Sequence, residues 1–286
     1  MWIYSLFKIL IFIMKKVSSK ASLIDFVWSC NSKLYSQNLS NLNIYSSKSD
    51  NFKLFLSDFF SMILNSWLNN LCNMNILSDN GKTLYIVNSS NIWLCGNLNK
   101  KLFDYFNGES DKNNIDIFCI WKKSFNFFVE NWFNVIWYIK DCNEFSDLTL
   151  LFDFLNSSIS NYSNVKLLFN TKNNATCMNL YSFNELELLK FVSDFWINCK
   201  IDSISNWISV DKNTLKELVM QFSQYIIYWA FLQNKVEELS IRKKLLKPVN
   251  RGLIMRKIVL SFNEKRQMLL TQKIIELMAV KECAMV

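Results

Sequence analysis

The stretch SFNEKRQMLLTQKIIELMAVKECAMV, from Ser261 to Val286, decides how the rest of the chain is read. Asn263, Arg266, Gln267, Thr271, Gln272 and Glu276 follow one another at helical spacing and make a polar string inside an apolar run. With 3.6 residues per turn, such positions fall on successive turns of one helix. Working backwards, Val249, Leu253, Arg256, Leu260, Asn263, Gln267, Leu270, Ile274 and Leu277 alternate four and three apart. Before Pro248 the same step runs through Leu215, Leu218, Phe222, Tyr225, Trp229, Leu232, Val236 and Leu239. The two runs differ in phase, and Pro248 lies between them. A mid-helix proline costs about 3 kcal/mol, so a kink or break is expected there. Ser209 or Asp211 is placed to cap the start of this helix.

The other end of the chain carries a matching pattern. Leu6, Ile9, Ile13, Lys16, Lys20, Leu23, Val27, Cys30 and Leu34 again step by three and four, interrupted only by the two lysines. Narrow seams of this kind suit two helices wound round each other, and two helices of an ordinary bundle satisfy them as well. The opening MWIYSLFKILIFIMKK is broken by Lys8, is too short to span a bilayer, and has its basic end after the apolar stretch. The expectation is a packed helix rather than a signal or anchor.

The middle has another texture. Residues 82–87 (KTLYIV), 115–121 (IDIFCIW), 134–139 (NVIWYI), 165–170 (VKLLFN) and 175–183 (ATCMNLYSF) are short, apolar and rich in β-branched or aromatic residues. They predict strands. Residues 97–106, 123–132 and 145–160 between them predict helices. Such alternation gives a small α/β domain with a largely parallel sheet, inserted between the terminal helices. The expected division is 1–60, 82–200 and 209–286.

Composition narrows the function. Among 286 residues there are 4 Gly, 1 Pro and no His. Long uninterrupted helices follow, and the commonest general base and zinc ligand are missing. No phosphate-loop string G-x-x-x-x-G-K-[ST] occurs. The 8 cysteines are dispersed without a C-x-x-C pair, which predicts reduced, mostly buried thiols and no metal site. The net charge of +8 suits nucleic acid, anionic lipid or an acidic protein partner. It is concentrated between Lys235 and Arg266, where ten basic residues stand against three acidic ones.

The C-terminal string resembles the gamma subunit of rotary ATP synthases, whose last helix reads Y/F-N-x-x-R-Q-x-x-I/L-T-x-E/Q-x-x-E-I. Here Phe262-Asn263, Arg266-Gln267, Leu270-Thr271-Gln272 and Glu276-Leu277 stand in that order. Further matches follow along the chain. The family's S-S/D-x-G-L-C-G-x-x-N-x-x-L is met by Ser89-Ser90, Leu94-Cys95-Gly96, Asn99 and Leu102, with Trp93 in place of a glycine. Ser5-Leu6, Ile9, Ile13 and Ser32-Lys33-Leu34 are similar to its N-terminal helix. IFCIWKKSFNFF resembles its strand followed by G-x-K-x-x-x-x-F, and Glu238 with Arg242 its S-E-x-x-x-R.

The resemblance implies a Rossmann-like α/β domain between long helices that form an antiparallel coiled coil. It implies a rotor shaft, part of a proton-translocating enzyme, with no active site and no cofactor of its own. Its contacts to a loop of the catalytic ring would come from Arg266 and Gln267, supported by Asn263, Thr271 and Gln272. Its partners would be the alpha and beta subunits of that ring, a small epsilon-type stalk subunit and the membrane rotor ring. It would then lie on the inner face of an energy-coupling membrane, bacterial or organellar, held only through those partners. The alternative is a nucleic-acid-binding protein using the basic C-terminal helix, although no RNA-binding fingerprint is present. A membrane-surface helix and a free-standing enzyme are the other readings.

Overall fold

Five strands form one sheet, and their alternation builds the core on both of its faces. A computed structural model describes residues 2–71, 77–78, 81–91, 95–106, 112–171, 174–181 and 212–283. The strands are β1 (Lys82–Asn88), β2 (Ile115–Ile120), β3 (Asn134–Ile139), β4 (Tyr162–Thr171) and β5 (Asn174–Leu180). Helices α1 (Trp2–Leu71), α2 (Leu98–Asp104), α3 (Lys122–Glu130), α4 (Thr149–Ser158) and α5 (Lys212–Cys283) complete the described elements, with short 3-10 turns between them. Each of the five stretches expected as strands lies on one of these strands. Residues 182–200, expected in the same domain, and the capping positions 209 and 211 lie outside the described residues.

The strand order is β3-β2-β1-β4-β5. The pairs β1–β2, β1–β4 and β2–β3 are parallel, while β4 and β5 form an antiparallel hairpin with Thr171 opposite Asn174. The chain thus works outwards from β1 to β3, then returns to the other side of β1 with β4. Gly81 introduces β1 against β4: a Cβ there would sit 2.4 Å from the Asn161 carbonyl oxygen, so only glycine fits. Because side chains alternate across a strand, Leu84, Ile86, Phe118, Ile120, Val165, Leu167 and Phe169 face one way. They pack with Leu56 of α1, Leu151 and Leu155 of α4, and Ile227 and Phe231 of α5. Tyr85, Val87, Ile117, Cys119 and Leu168 face the other way, onto Leu102 and Phe106 after β1 and Phe128 of α3. The expected doubly wound, Rossmann-like domain between two long helices is what the chain forms.

Two compact units divide the chain, one of Met1–Ser40 with Lys243–Val286 and one of Asn41–Arg242. Each contains a pair of helix segments. In the larger unit Gln233 donates to Ser49 at 2.6 Å, and Phe52 meets Tyr228, Phe55 meets Tyr225 and Phe59 meets Phe222. Rising numbers on α1 meet falling numbers on α5, so the pair is antiparallel. In the smaller unit Lys257 pairs with Asp25 at 2.8 Å and lies over the Trp28 ring. From residue 25 to 49 and from 257 back to 233 the step is 24 residues on both helices.

The seams differ in detail from those expected. On α1 the covered positions are Ile24, Trp28, Asn31, Tyr35, Asn38, Leu42, Tyr45, Ser49, Phe52, Leu56 and Phe59, one residue beyond the expected stripe. Leu23, Val27, Cys30 and Leu34 are exposed. Leu6 to Lys20 have no described side chains. On α5 the expected stripe from Leu218 to Leu239 is covered. Beyond Pro248, however, the covered positions are Leu246, Asn250, Leu253, Leu260, Glu264, Gln267 and Thr271. These continue the earlier heptad without a change of phase, and the helix is unbroken through Pro248. The expected phase change and break are therefore corrected. Proline removes only the bond to the Lys244 carbonyl, and both residues are exposed, so water can serve that carbonyl.

Candidate functional site

The C-terminal string occupies the described end of α5. Taking about 100° per residue, Arg266, Asn263, Gln267 and Thr271 span an arc of about 140°. Gln267 and Thr271 are half-buried on the covered stripe, and the Thr271 hydroxyl donates to the Gln267 carbonyl at 2.9 Å. Asn263 and Arg266 are exposed beside them. Gln272 points away from this arc and donates to Glu276 at 3.1 Å, four residues on. The structure thus gathers four of the five expected contact residues and sets Gln272 apart.

Around them the helix is apolar on nearly every side. Ile254, Met255, Ile258, Val259, Phe262, Met268, Leu269, Leu270, Ile275 and Leu277 are all exposed. An apolar surface of this extent marks a place where other protein is received. Lys244, Lys247, Arg251, Arg256, Lys265 and Arg266 are exposed among them. Such a basic, apolar face suits an acidic partner with apolar contacts. One of the ten basic residues does not belong to it: Lys235 is buried in the larger unit.

A second polar set lies where β1 and β4 end. In open α/β sheets this switch point, outside the carboxyl ends of the strands, is where ligands bind. Here α5 fills it. Asn88 at the end of β1 donates to the Ala230 carbonyl at 3.2 Å, and Asn234 donates to the Ser89 carbonyl at 2.8 Å. Asn170 of β4 donates to Asn234 at 2.9 Å. The Ser90 hydroxyl donates to Glu238 in a short hydrogen bond, and Lys235 lies 3.4 Å from the other Glu238 oxygen. The Lys235 ammonium stands 4.2 Å from the centre of the Trp121 ring. Every one of these side chains is buried.

This set explains the sequence motif after β1. Asn99 accepts from the Ser90 amide at 2.7 Å and donates to its carbonyl at 2.9 Å, so the side chain ties the loop back on itself. Gly96 has φ +60, and a Cβ there would meet Ile241 of α5 at 3.1 Å. The motif therefore fits α5 against the loop. Aligning G-x-K-x-x-x-x-F on residues 121–128 puts Trp121 on the glycine. Its φ is 90 and its ψ 144, a region that side chains other than hydrogen occupy at a cost of about 1–3 kcal/mol. Sequence reasoning missed Trp121, Asn88, Asn170 and Asn234. The available signal was Asn234 and Glu238, two polar residues four apart beside the apolar stripe.

The described thiols have the character of core groups. Burial pushes Cys119 up to about 12, against a smaller pull from the Ser124 hydroxyl. Burial and the nearby Asp147 push Cys142 up to about 12, against the Lys235 charge. Neither is a poised nucleophile. Cys95 is also buried, Cys177 half-buried and Cys30 exposed. Among the described residues no helix is long and apolar enough to cross a membrane.

Comparison with known proteins agrees with the geometry. A family model described as ATP synthase matches residues 34–282. A chain of the Euglena gracilis mitochondrial ATP synthase (OSCP/F1/c-ring, rotational state 3) is 13% identical and has a TM-score of 0.50, covering 93% of this chain and 95% of that one. A chain of the Tetrahymena thermophila mitochondrial ATP synthase (central stalk/c-ring) is 12% identical with a TM-score of 0.53, covering 77% of this chain and 99% of that one. At these identities the two structures speak for the fold. No curated protein sequence matches. The nucleic-acid alternative gains no support from these matches. With the family match running from the first long helix through the sheet to the end of the last, the chain belongs to the gamma-subunit family of ATP synthases, the rotor shaft of that enzyme.

Proposed function

We propose that this chain is the central-stalk subunit that couples a membrane rotor ring to a catalytic ring of alpha and beta subunits. The observation that carries the reading is the second half of α5, exposed, apolar on nearly every side and basic. Such a surface has no use in an isolated chain and fits the inside of a protein ring. In this reading residues 209–286 and 1–60 form the shaft, and residues 82–200 the foot. Arg266 and Gln267 contact a loop of one catalytic subunit, with Asn263, Thr271 and Gln272 in support. An arginine side chain suits an orientation-sensitive, bidentate contact with a carboxylate.

Nucleotide chemistry takes place in the ring, and this chain carries no active site. As the asymmetric shaft turns, each angular position favours a different set of ring conformations, a population shift driven by contacts. The foot meets the membrane rotor ring and an epsilon-type subunit. Trp132 and Trp137, exposed at and near the edge strand β3, support a partner face there. The complex sits on an energy-coupling membrane, and this chain reaches it through partners.

The test is purification of this chain from its own cells, with ATPase assays of the wild type and of Arg266→Ala/Gln267→Ala. Recovery with two related nucleotide-binding subunits and an altered turnover in the variant is the expected result. A lone monomer, or a complex with RNA and no ATPase, would overturn the reading.

A further inference from the structure

The crevice between β1 and β4 is closed by directional contacts, and this is more than packing requires. Apolar side chains hold a helix against a sheet with little preference for its rotation about its own axis. Buried hydrogen bonds and ion pairs have that preference, because turning the helix by one residue leaves each group unpaired in a low dielectric. On α5 the turn from Ala230 to Glu238 presents Asn234, Lys235 and Glu238 to the sheet, and each is at least nine-tenths buried. Asn88, Ser89, Ser90 and Asn170 receive them from the ends of β1 and β4. Trp121 adds a contact peculiar to this chain. It holds a glycine-like φ, and its buried indole N–H finds no acceptor. Both are unfavourable, and what they secure is a ring stacked near Phe231 and beneath the Lys235 ammonium.

The geometry points to a rotational lock: Trp121, Lys235, Glu238 and Ser90, backed by Asn88, Asn170 and Asn234, hold α5 at one azimuth on the sheet. Sheet domain and helix then turn as one body. The lock is a property of the larger unit alone. Its use in passing torque rests on the rotor-shaft reading. The residues named are positioning residues, since none meets a nucleotide.

The experiment separates these two layers. In the full chain, spin labels carried by genetically encoded side chains at the exposed Lys140 and Gln221 report the distance from sheet to helix. In Trp121→Gly, which relaxes the backbone and deletes the ring, the width of the distance distribution is expected to at least double. Glu238→Gln keeps the size and removes the charge, and about half that broadening is expected. It also serves where Trp121→Gly fails to fold. Trp121→Phe is expected to restore most of the narrow distribution. Wild-type widths in both Trp121→Gly and Glu238→Gln would overturn the lock. In the assembled ATPase, protons pumped per ATP are expected to fall about threefold in Trp121→Gly. A broadened distribution with unchanged pumping would overturn the role in torque. Absence of the wild-type chain from any ATPase would instead sink the rotor-shaft reading, while the spin-label result would still decide the lock.

Discussion

Between Val219 and Leu239, α5 buries Phe222, Ile226, Ile227, Ala230, Phe231 and Leu232; between Val249 and Leu277 it exposes Ile254, Met255, Phe262, Leu269 and Ile275. Both halves are rich in large apolar residues. The first half lies against the sheet and α4 and behaves as core. In the second half only one stripe is covered, and even that stripe contains Asn250, Glu264, Gln267 and Thr271. Apolarity in a helix therefore does not say which chain will cover it. Where a single chain leaves it open, the surface is kept for partners.

The largest expected effect tests this contrast directly. Phe231 is fully buried, and Phe231→Ala should destabilise the isolated chain by about 3–5 kcal/mol in denaturant titrations. Leu269 is 61% exposed, and Leu269→Ala should stay within about 0.5 kcal/mol in the same assay. Comparable losses at both sites would break the comparison. Next, Pro248→Ala restores a backbone bond inside a continuous helix. It should raise stability by up to about 3 kcal/mol, read as a higher thermal midpoint of helical circular dichroism. No gain would mean that the helix needs the proline.

A pH series sharpens the picture of the buried region. Cys119 and Cys142 are raised from 9.0 to about 12 by burial. Their contribution is complete below pH 9. Above it the unfolded chain loses protons that the folded chain keeps, so stability falls as pH rises towards 12. The slope is about 1.4 kcal/mol per pH unit for each thiol. Unfolding midpoints at pH 8, 9 and 10 should show the fall, and Cys119→Ser/Cys142→Ser should flatten it. The smallest effect belongs to the exposed pair Asp25–Lys257. Lys257→Met should change stability by less than about 1 kcal/mol, and a larger loss in denaturant titration would mean that the smaller unit depends on this pair.

Much of the fold was legible because short apolar runs bounded by polar residues have few alternatives to buried strands. Asn134–Ile139 was read to the residue, and the others to within a few. The helical seams were harder. On α1 the stripe was sought among Leu23, Val27, Cys30 and Leu34, yet the covered neighbours include Asn31, Asn38 and Ser49, which an apolar count passes over. Beyond Pro248, apolar residues surround the helix, so periodicity had no unique answer and an apparent change of phase emerged. At the candidate site, Arg266 and Gln267 stood out through their order along the chain. The lock did not, because no sequence rule places a tryptophan at a φ of 90 or joins Asn88 to a helix 142 residues away.

The equal step of 24 residues on α1 and α5 carries a consequence for how such a chain can change in length. An insertion of one or two residues in either helix would turn every later side chain off the seam. A whole heptad added to one helix alone would keep the facing side but slide all the pairs beyond it. Only matched heptads, one in each helix, preserve both. Lengthening or shortening this protein, in a lineage or at the bench, is therefore a paired event counted in sevens.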